Sequence, residues 1–478
     1  MYTLDPSVSS PSLDALQAKP SLAVVGAGLA GLSAAWLLKD KYQVTLFEYH
    51  DSPGMGVFTS DYHSNGIETR IDMPLRIFTK GYYPQLFALY KYLNIEMESS
   101  DHAAAYQTWR PEDERPAVFF QYRNINVLGK GFRYLSRNSI SGAGFKLVMG
   151  QFTFFKQAKK DMANPLHSLS HITFGTYLQQ HNFNARFIHQ LLLPALAVIC
   201  TCDYDGILNY PADLILGYLT CGVMNDGIVR AKQGVDGIVP KITQGYDVLC
   251  GEQVMSVAPL DHDKNRIMLT SCNQATSVVK EYEFDHVVIA TQADIAGQIL
   301  SAAQHKEADV HTQQAKLLTS IPMQFSSMVL HTDTSIVHHQ NQASPVSYIV
   351  DESLPRPSTS VDLTKAFSTY KDQQPVFQTW NVIKQPKASS IIAQQSFTRP
   401  LVTLESRVAV AKLQNLNAHS AIKICGSYMA NKIPLLDAAV ESSVEIAKQL
   451  GCTIPWHKTD CKPRDNLAHD SDSKALPA

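Results

Sequence analysis

Between Leu22 and Glu48 the chain reads LAVVGAGLAGLSAAWLLKDKYQVTLFE, and no other stretch restricts its fold as much. Leu22–Val25 is a short apolar run suited to a buried parallel strand. Gly26-Ala27-Gly28-Leu29-Ala30-Gly31 has G-x-G-x-x-G spacing, and Leu32, Ala35, Trp36 and Leu38 continue at helical intervals. Gln43–Phe47 reads as a second strand, and Glu48 closes it about 20 residues beyond the glycines. Gly26 permits the tight turn, Gly28 lets backbone approach a pyrophosphate, and Gly31 lets helix and strand pack closely. The helix N-terminus offers free N–H groups and a positive dipole end to phosphates. Glu48 suits the diol of a ribose. An ordinary βαβ turn shares the glycines alone. Strand, glycines, helix, strand and acid in this order point to a cofactor containing ADP, with Gly26, Ala27, Gly28, Ala30, Gly31 and Glu48 as its candidate contacts.

At 478 residues the chain is long for one core, so two or three structural units are expected. Its net charge of −2 gives neither the basic excess of a nucleic-acid binder nor the acidic excess of a solvating chain. Eight cysteines show no paired CxxC spacing, and Cys200-Thr-Cys202 is the one close pair. Buried thiols in a reducing compartment fit better than a metal site. Adjacent His338 and His339 have no carboxylate nearby and read as a solvated loop, so no metal is expected. Residues 1–20 lack the basic and apolar regions of a signal peptide and read as a flexible leader. The longest apolar run, Leu191–Cys200, is too short for a membrane span and contains Pro194. A cytoplasmic protein is expected.

The chain divides into a nucleotide-binding unit in three parts, 21–104, 236–319 and 416–456, interrupted by a substrate unit at 105–235 and 320–415. A polar, disordered tail follows at 457–478. Strands are expected at Val57–Tyr62 and Ile67–Met73, a helix at Tyr83–Leu93, and a hairpin over Ala105–Tyr122. Residues 127–235 read as mostly helical, with Asp203–Asn209 as a loop. Phe145–Met162 is amphipathic and ends in Lys156, Lys159 and Lys160. It suits either a core-packed helix with a basic end or an interfacial helix reaching lipid-dissolved substrate. Later strands fall at Val248–Val257, Arg266–Ser271, Val278–Phe284, Asp285–Thr291, Met328–His331, Val346–Ile349, Pro375–Ile383 and Ile422–Cys425. Pro355–Ser360 reads as a surface loop and Leu435–Leu450 as an amphipathic helix.

The glycine fingerprint, the strand ending Val288-Ile289-Ala290-Thr291 and the late strand–Gly426–helix module together resemble the flavin-dependent amine oxidase and phytoene desaturase superfamily. The similarity spans about residues 21–450. The layout also resembles the FAD-dependent polyunsaturated fatty-acid isomerase, through TCDYDGILNYPADLILGYL. The resemblance implies an α/β fold, a Rossmann-type FAD-binding domain with an inserted α+β substrate domain. It further implies FAD as cofactor, with its pyrophosphate on Gly26, Gly28 and Gly31 and its ribose on Glu48. Val254 would meet the adenine, Gly426 would let the chain pass beside the flavin, and the helix at Leu436–Asp437 would face its pyrimidine end. Three positions depart from the family pattern: Gly54-Met55-Gly56 lacks the second of two adjacent glycines and a basic residue, Asp72 is followed by Met73-Pro74, and Asp437 by Ala438.

The implied chemistry is hydride transfer from an amine or a lipid-like C–H bond to the flavin. Trp380 and Tyr428 are the candidate aromatic pair at the substrate, and each also suits simple core packing. Arg76 suits a carboxylate, the flavin's phosphate region or a surface salt bridge. Isomerisation or desaturation of a fatty acyl or polyene substrate, an NAD-linked dehydrogenase and a non-catalytic flavoprotein stay open. The Phe-rich stretch Phe145–Phe155 favours a small lipophilic substrate. A peripheral membrane contact is compatible with it, and a nucleic-acid partner is not.

Overall fold

The computed structural model describes residues 19–127, 130–136, 139–164, 166, 168–221, 227–260, 266–303, 309–338, 344–351 and 353–457. Most of the expected leader and tail, and His339, lie outside the described residues.

A five-stranded parallel sheet forms the centre, with β1 (Ser21–Val25) in the middle. On one side of it run β2 (Gln43–Phe47) and Asp247–Leu249, on the other His286–Ile289 and Ile422–Ile424. The pleat sends successive side chains to opposite faces, and the sequence is apolar on both. Leu22, Val24, Val44, Leu46 and Val288 pack with helix α1 (Leu29–Leu38) and helix Leu436–Gln449. Ala23, Val25, Phe47, Val287 and Ile289 pack on the other face against helices Ala293–Ala302, Val310–Thr319 and Leu404–His419 and the meander Glu252–Pro259, Ile267–Asn273 and Val279–Phe284.

The second unit is an eight-stranded mixed sheet, running in space 391–400, 323–331, 377–380, 358–362, 346–349, 104–108, 117–127 and 130–135. All its ladders are antiparallel except that of Val346–Ile349 with Ala104–Thr108. A helical layer from Gly142 to Thr220 packs near its 104–127 edge around Phe154, Phe174, Tyr177, Leu196 and Tyr210. The chain thus has an α/β fold, a Rossmann-type unit carrying an α+β unit.

Two local expectations are overturned. Asp203–Asn209 is not a loop: helix Tyr204–Asn209 forms there, its N-terminus capped by Asp203, whose carboxylate accepts from Gly206 N–H at 2.7 Å. Within Pro355–Ser360, Ser358 already begins the strand Ser358–Asp362, buried between two partner strands. Its polar STSVD sequence hides a central strand because Ser360 Oγ finds Thr379 Oγ1 at 2.7 Å inside the sheet. The stretch 127–235 also holds strands, Lys130–Leu135 and Ile228–Ala231. The stretch is otherwise mostly helical, as expected, and Ile228–Ala231 pairs with two distant segments, Phe78–Thr79 and Met97–Ser100.

Candidate functional site

The glycine turn is built as its spacing demands. Gly26 has φ +99° and donates its N–H to Phe47 O at 2.7 Å. A Cβ on Gly31 would lie 1.9 Å from Gly26 O, so only glycine fits where α1 crosses β1. A Cβ on Gly28 would meet no protein atom within 4 Å, and Gly28 lines a large cavity. That is the space a dinucleotide's pyrophosphate needs, and α1 begins there with no acid in its first turn.

The cavity measures about 1670 Å³, beyond the roughly 300–1,000 Å³ of a pocket for one small ligand. It runs from Gly26, Gly28, Leu29 and Ala30 past Glu48 and Val254 to Leu191, Leu196, Ile199 and Tyr348 in the second unit. Leu191 belongs to a π-helical turn, Ile188–Leu192, between the helical turn Ala185–Phe187 and helix Leu193–Cys200. Pro194, lacking an N–H, stands at the C-terminal end of the π-helical turn.

Several expected residues converge on this cavity. Glu48 reaches it with its carboxylate already held: Oε2 accepts from Ala27 N–H at 2.6 Å and Oε1 from His50 N–H at 3.0 Å. Ala27 therefore spends its N–H on orienting Glu48 and is not among the lining residues. Gly31 does not line it either, since its place is in the helix–strand contact. Gly426 lines it, but a Cβ there would strike the Tyr428 ring at 2.5 Å, so this glycine makes room for the tyrosine. Tyr428 is buried on the 3-10 turn Ser427–Met429, and burial raises its phenol well above the usual range. Trp380 lies on another wall, at the end of strand Phe377–Trp380, with its ring 5.5 Å from Phe397.

Asp437 is the expected residue that the geometry sets apart. Its side chain is wholly buried and faces away from the cavity lining, accepting from Leu86 N–H at 2.9 Å and pairing with Lys432 at 2.8 Å. Burial pushes its carboxyl up, against the pull of Lys432 and the Leu86 N–H. The helix N-terminus itself does reach the cavity, through Pro434, Leu435, Leu436 and Ala439.

The loop lacking its basic residue finds one elsewhere. Met55 forms a parallel bridge with Gly28, folding the loop onto the glycine turn. Arg76 then donates Nη2 to Met55 O and lines the cavity. It is not a surface salt bridge. Arg399, which no motif marks, lines the same cavity from strand Ile391–Pro400. Burial, with the like charge of Arg76 adding to it, pushes Arg399 down to about 10. Burial lowers Arg76 too, with Asp72 opposing from longer range. Four buried polar atoms on lining residues, Arg76 Nε, Thr79 Oγ1, Thr359 Oγ1 and Tyr428 Oη, have no protein partner among the described residues.

The profile of the NAD(P)-binding Rossmann-like domain matches residues 24–93. No curated protein matches the sequence. Among solved structures, the CLA-producing fatty acid isomerase from P. acnes is similar at a TM-score of 0.62 and 13% identity, over 90% of this chain and 98% of its own. Cyclohexylamine oxidase from Brevibacterium oxydans IH-35A gives 0.56 and 15%, over 91% and 100%. Putrescine oxidase, wild type bound to putrescine, gives 0.55 and 13%, over 90% and 99%. The chain has the amine oxidase-like fold. That fold accounts for the arrangement seen here: a dinucleotide turn in one unit and a second unit closing one shared cavity over it. Among the described residues no helix is long and apolar enough to cross a membrane.

Proposed function

We propose that the chain binds FAD in this cavity and works as an oxidoreductase on a small lipophilic substrate. The observation that carries the reading is the continuity of one cavity from the open side of Gly28 to the apolar walls at Leu191, Leu196 and Ile199. A dinucleotide alone would leave the far end empty. Gly26, Gly28 and Ala30 would take the pyrophosphate, Glu48 the ribose and Val254 the adenine. The N-terminus of helix Leu436–Gln449 would lie at the pyrimidine end, through backbone N–H groups and not through the Asp437 carboxylate. Arg76, held on the loop that folds onto Gly28, would bring positive charge to the anionic cofactor.

Bound there, FAD would supply a hydride acceptor. The chain's own contribution would be to exclude water and orient the substrate between aromatic walls, with Trp380 and Tyr428 as contacts. A fatty acyl substrate isomerised without net oxidation is the second reading, favoured by the apolar far end and by the similarity to the fatty acid isomerase. An amine substrate finds its support in the two oxidases.

The spectrum of the purified protein tests the cofactor: released chromophore with bands at roughly 370 and 450 nm is expected. Colourless protein that binds NADH but not added FAD would leave the glycine turn to a nicotinamide dinucleotide. With flavin present, oxygen uptake on amines marks an oxidase. A shifted double bond with no oxygen uptake marks the isomerase.

A further inference from the structure

Helix Gly142–Met162 meets three different surroundings. Leu147, Phe154 and Ala158 are buried in the helical core, and Val148, Gln151 and Phe155 line the cavity. On its outer face Phe145, Met149 and Phe152 are 65%, 44% and 63% exposed. Their spacing of four and three residues makes them one stripe, about 10 Å long. Lys156, Lys159 and Lys160, all exposed, extend the same stripe toward the C-terminus, and exposed Lys146 flanks it. The helix has a single carboxylate, Asp161, and it is buried, accepting from Tyr177 Oη at 3.0 Å and Gln157 at 2.9 Å. The outer face therefore carries four cations and no anion. Ile140 before the helix and Leu166 after it are also exposed.

We propose that this face docks on an anionic lipid bilayer. Phe145, Met149 and Phe152 enter the acyl boundary, and Lys156, Lys159 and Lys160 meet the headgroups. An apolar stripe joined to lysines without acids is the pattern of a helix lying in the interface, whereas the centre of a protein–protein contact is depleted in lysine. A groove of about 390 Å³ lies beside the stripe, between Phe145, Met149, Thr153 and the turn His181–Asn184, with room for part of an acyl chain. Because Val148, Gln151 and Phe155 of the same helix wall the cavity, docking would bring a lipophilic substrate held in the bilayer to the outer side of that wall. That last step rests on the proposed function, but the docking does not.

Sedimentation of the full chain with vesicles tests it, using phosphatidylcholine alone and phosphatidylcholine with about 30% phosphatidylserine. Tighter binding to the anionic vesicles is expected, by at least tenfold, and weakening as salt screens the lysines. K156Q/K159Q/K160Q should lose about 100-fold on anionic vesicles, from about fivefold per lysine. F145S/F152S should lose at least tenfold on both compositions, and V408S, an exposed apolar position elsewhere, nothing. These side chains are exposed, so unchanged melting will show that the variants fold. Absence of vesicle binding overturns the proposal, as does binding that the variants leave intact. A solution dimer that F145S/F152S dissociates, without vesicle binding, would give the face to a second copy and likewise overturn it. Colourless protein that still binds vesicles would remove the proposed function and leave the docking standing.

Discussion

The parallel sheet and the central strands of the eight-stranded sheet are both buried, yet they are built from different materials. In the parallel sheet, β1 sends Leu22 and Val24 one way and Ala23 and Val25 the other, and apolar packing on both faces specifies it. In the eight-stranded sheet the central strand Ser358–Asp362 is mostly polar. Its Ser360 hydroxyl finds a partner inside the sheet in Thr379, which also bonds His331 at 2.7 Å, whereas Thr359 turns an unpartnered hydroxyl to the cavity. One unit is held by pattern, the other by partners that are distant in sequence. Local substitutions should therefore act abruptly in the first and through networks in the second.

The largest contrast lies inside the glycine turn. Gly31→Ala places a methyl against Gly26 O and is expected to cost more than about 4 kcal/mol, so thermal melting should show little or no native protein. Outside both sheets, where Met97–Ser100 pairs with Ile228–Ala231, the largest effect is expected at Glu98, which pairs with Arg230 at 2.7 Å and also accepts from Ser368 at 2.8 Å and Thr369 at 2.8 Å. Burial would raise the Glu98 carboxyl, but these bonds outweigh it and hold it below the usual range. Its contribution is present above the free carboxyl value and is lost as pH falls through the lower folded one. Glu98→Gln leaves Arg230 buried without its counter-charge. Denaturant unfolding at neutral pH should record a loss of about 3–5 kcal/mol.

Gly28→Ala should leave melting unchanged, since its Cβ meets only open cavity. Flavin titration should nevertheless weaken by about 100-fold, close to 2.7 kcal/mol, because backbone can no longer approach the phosphates. If stability fell with affinity, the distinction between the two glycines would fail.

His331 gives the network unit its own signature. Burial pushes its imidazole down to about 4, with Asp333 opposing weakly. The unfolded chain takes up that proton first, so stability is whole above about 6.5 and falls as pH drops toward 4. Unfolding curves across this window should show about 2 kcal/mol of loss that His331→Gln removes. A slope unchanged in the variant would assign the proton elsewhere. The smallest effect is expected at Arg76→Gln, about tenfold weaker flavin binding without loss of stability, because no carboxylate is left unpaired.

The glycine turn was legible residue by residue because each glycine's requirement is local: a positive φ, an open approach, a close crossing. The strands Ile67–Met73 and Val346–Ile349 and the helix Leu436–Gln449 were legible through apolar periodicity. Ser358–Asp362 was not, since a polar strand in a sheet centre looks like a loop until its partners are known. Asp437 was an expected cofactor contact, yet Leu86 and Lys432 claim its carboxylate. Arg399 had no signal at all.

The sequence by itself determined the glycine turn with the strands and helix around it, and from them the expectation of a cofactor containing ADP. Those follow from backbone requirements and side-chain period along a short stretch. Only the tertiary structure decided that Arg76 reaches the loop at Met55 and that Arg399 comes beside it. It also decided that Trp380 and Tyr428 share one cavity from separate walls. These residues lie far apart in the chain, and no local rule of spacing relates them. Their meeting depends on how two sheets, each with its own core, come to face one space.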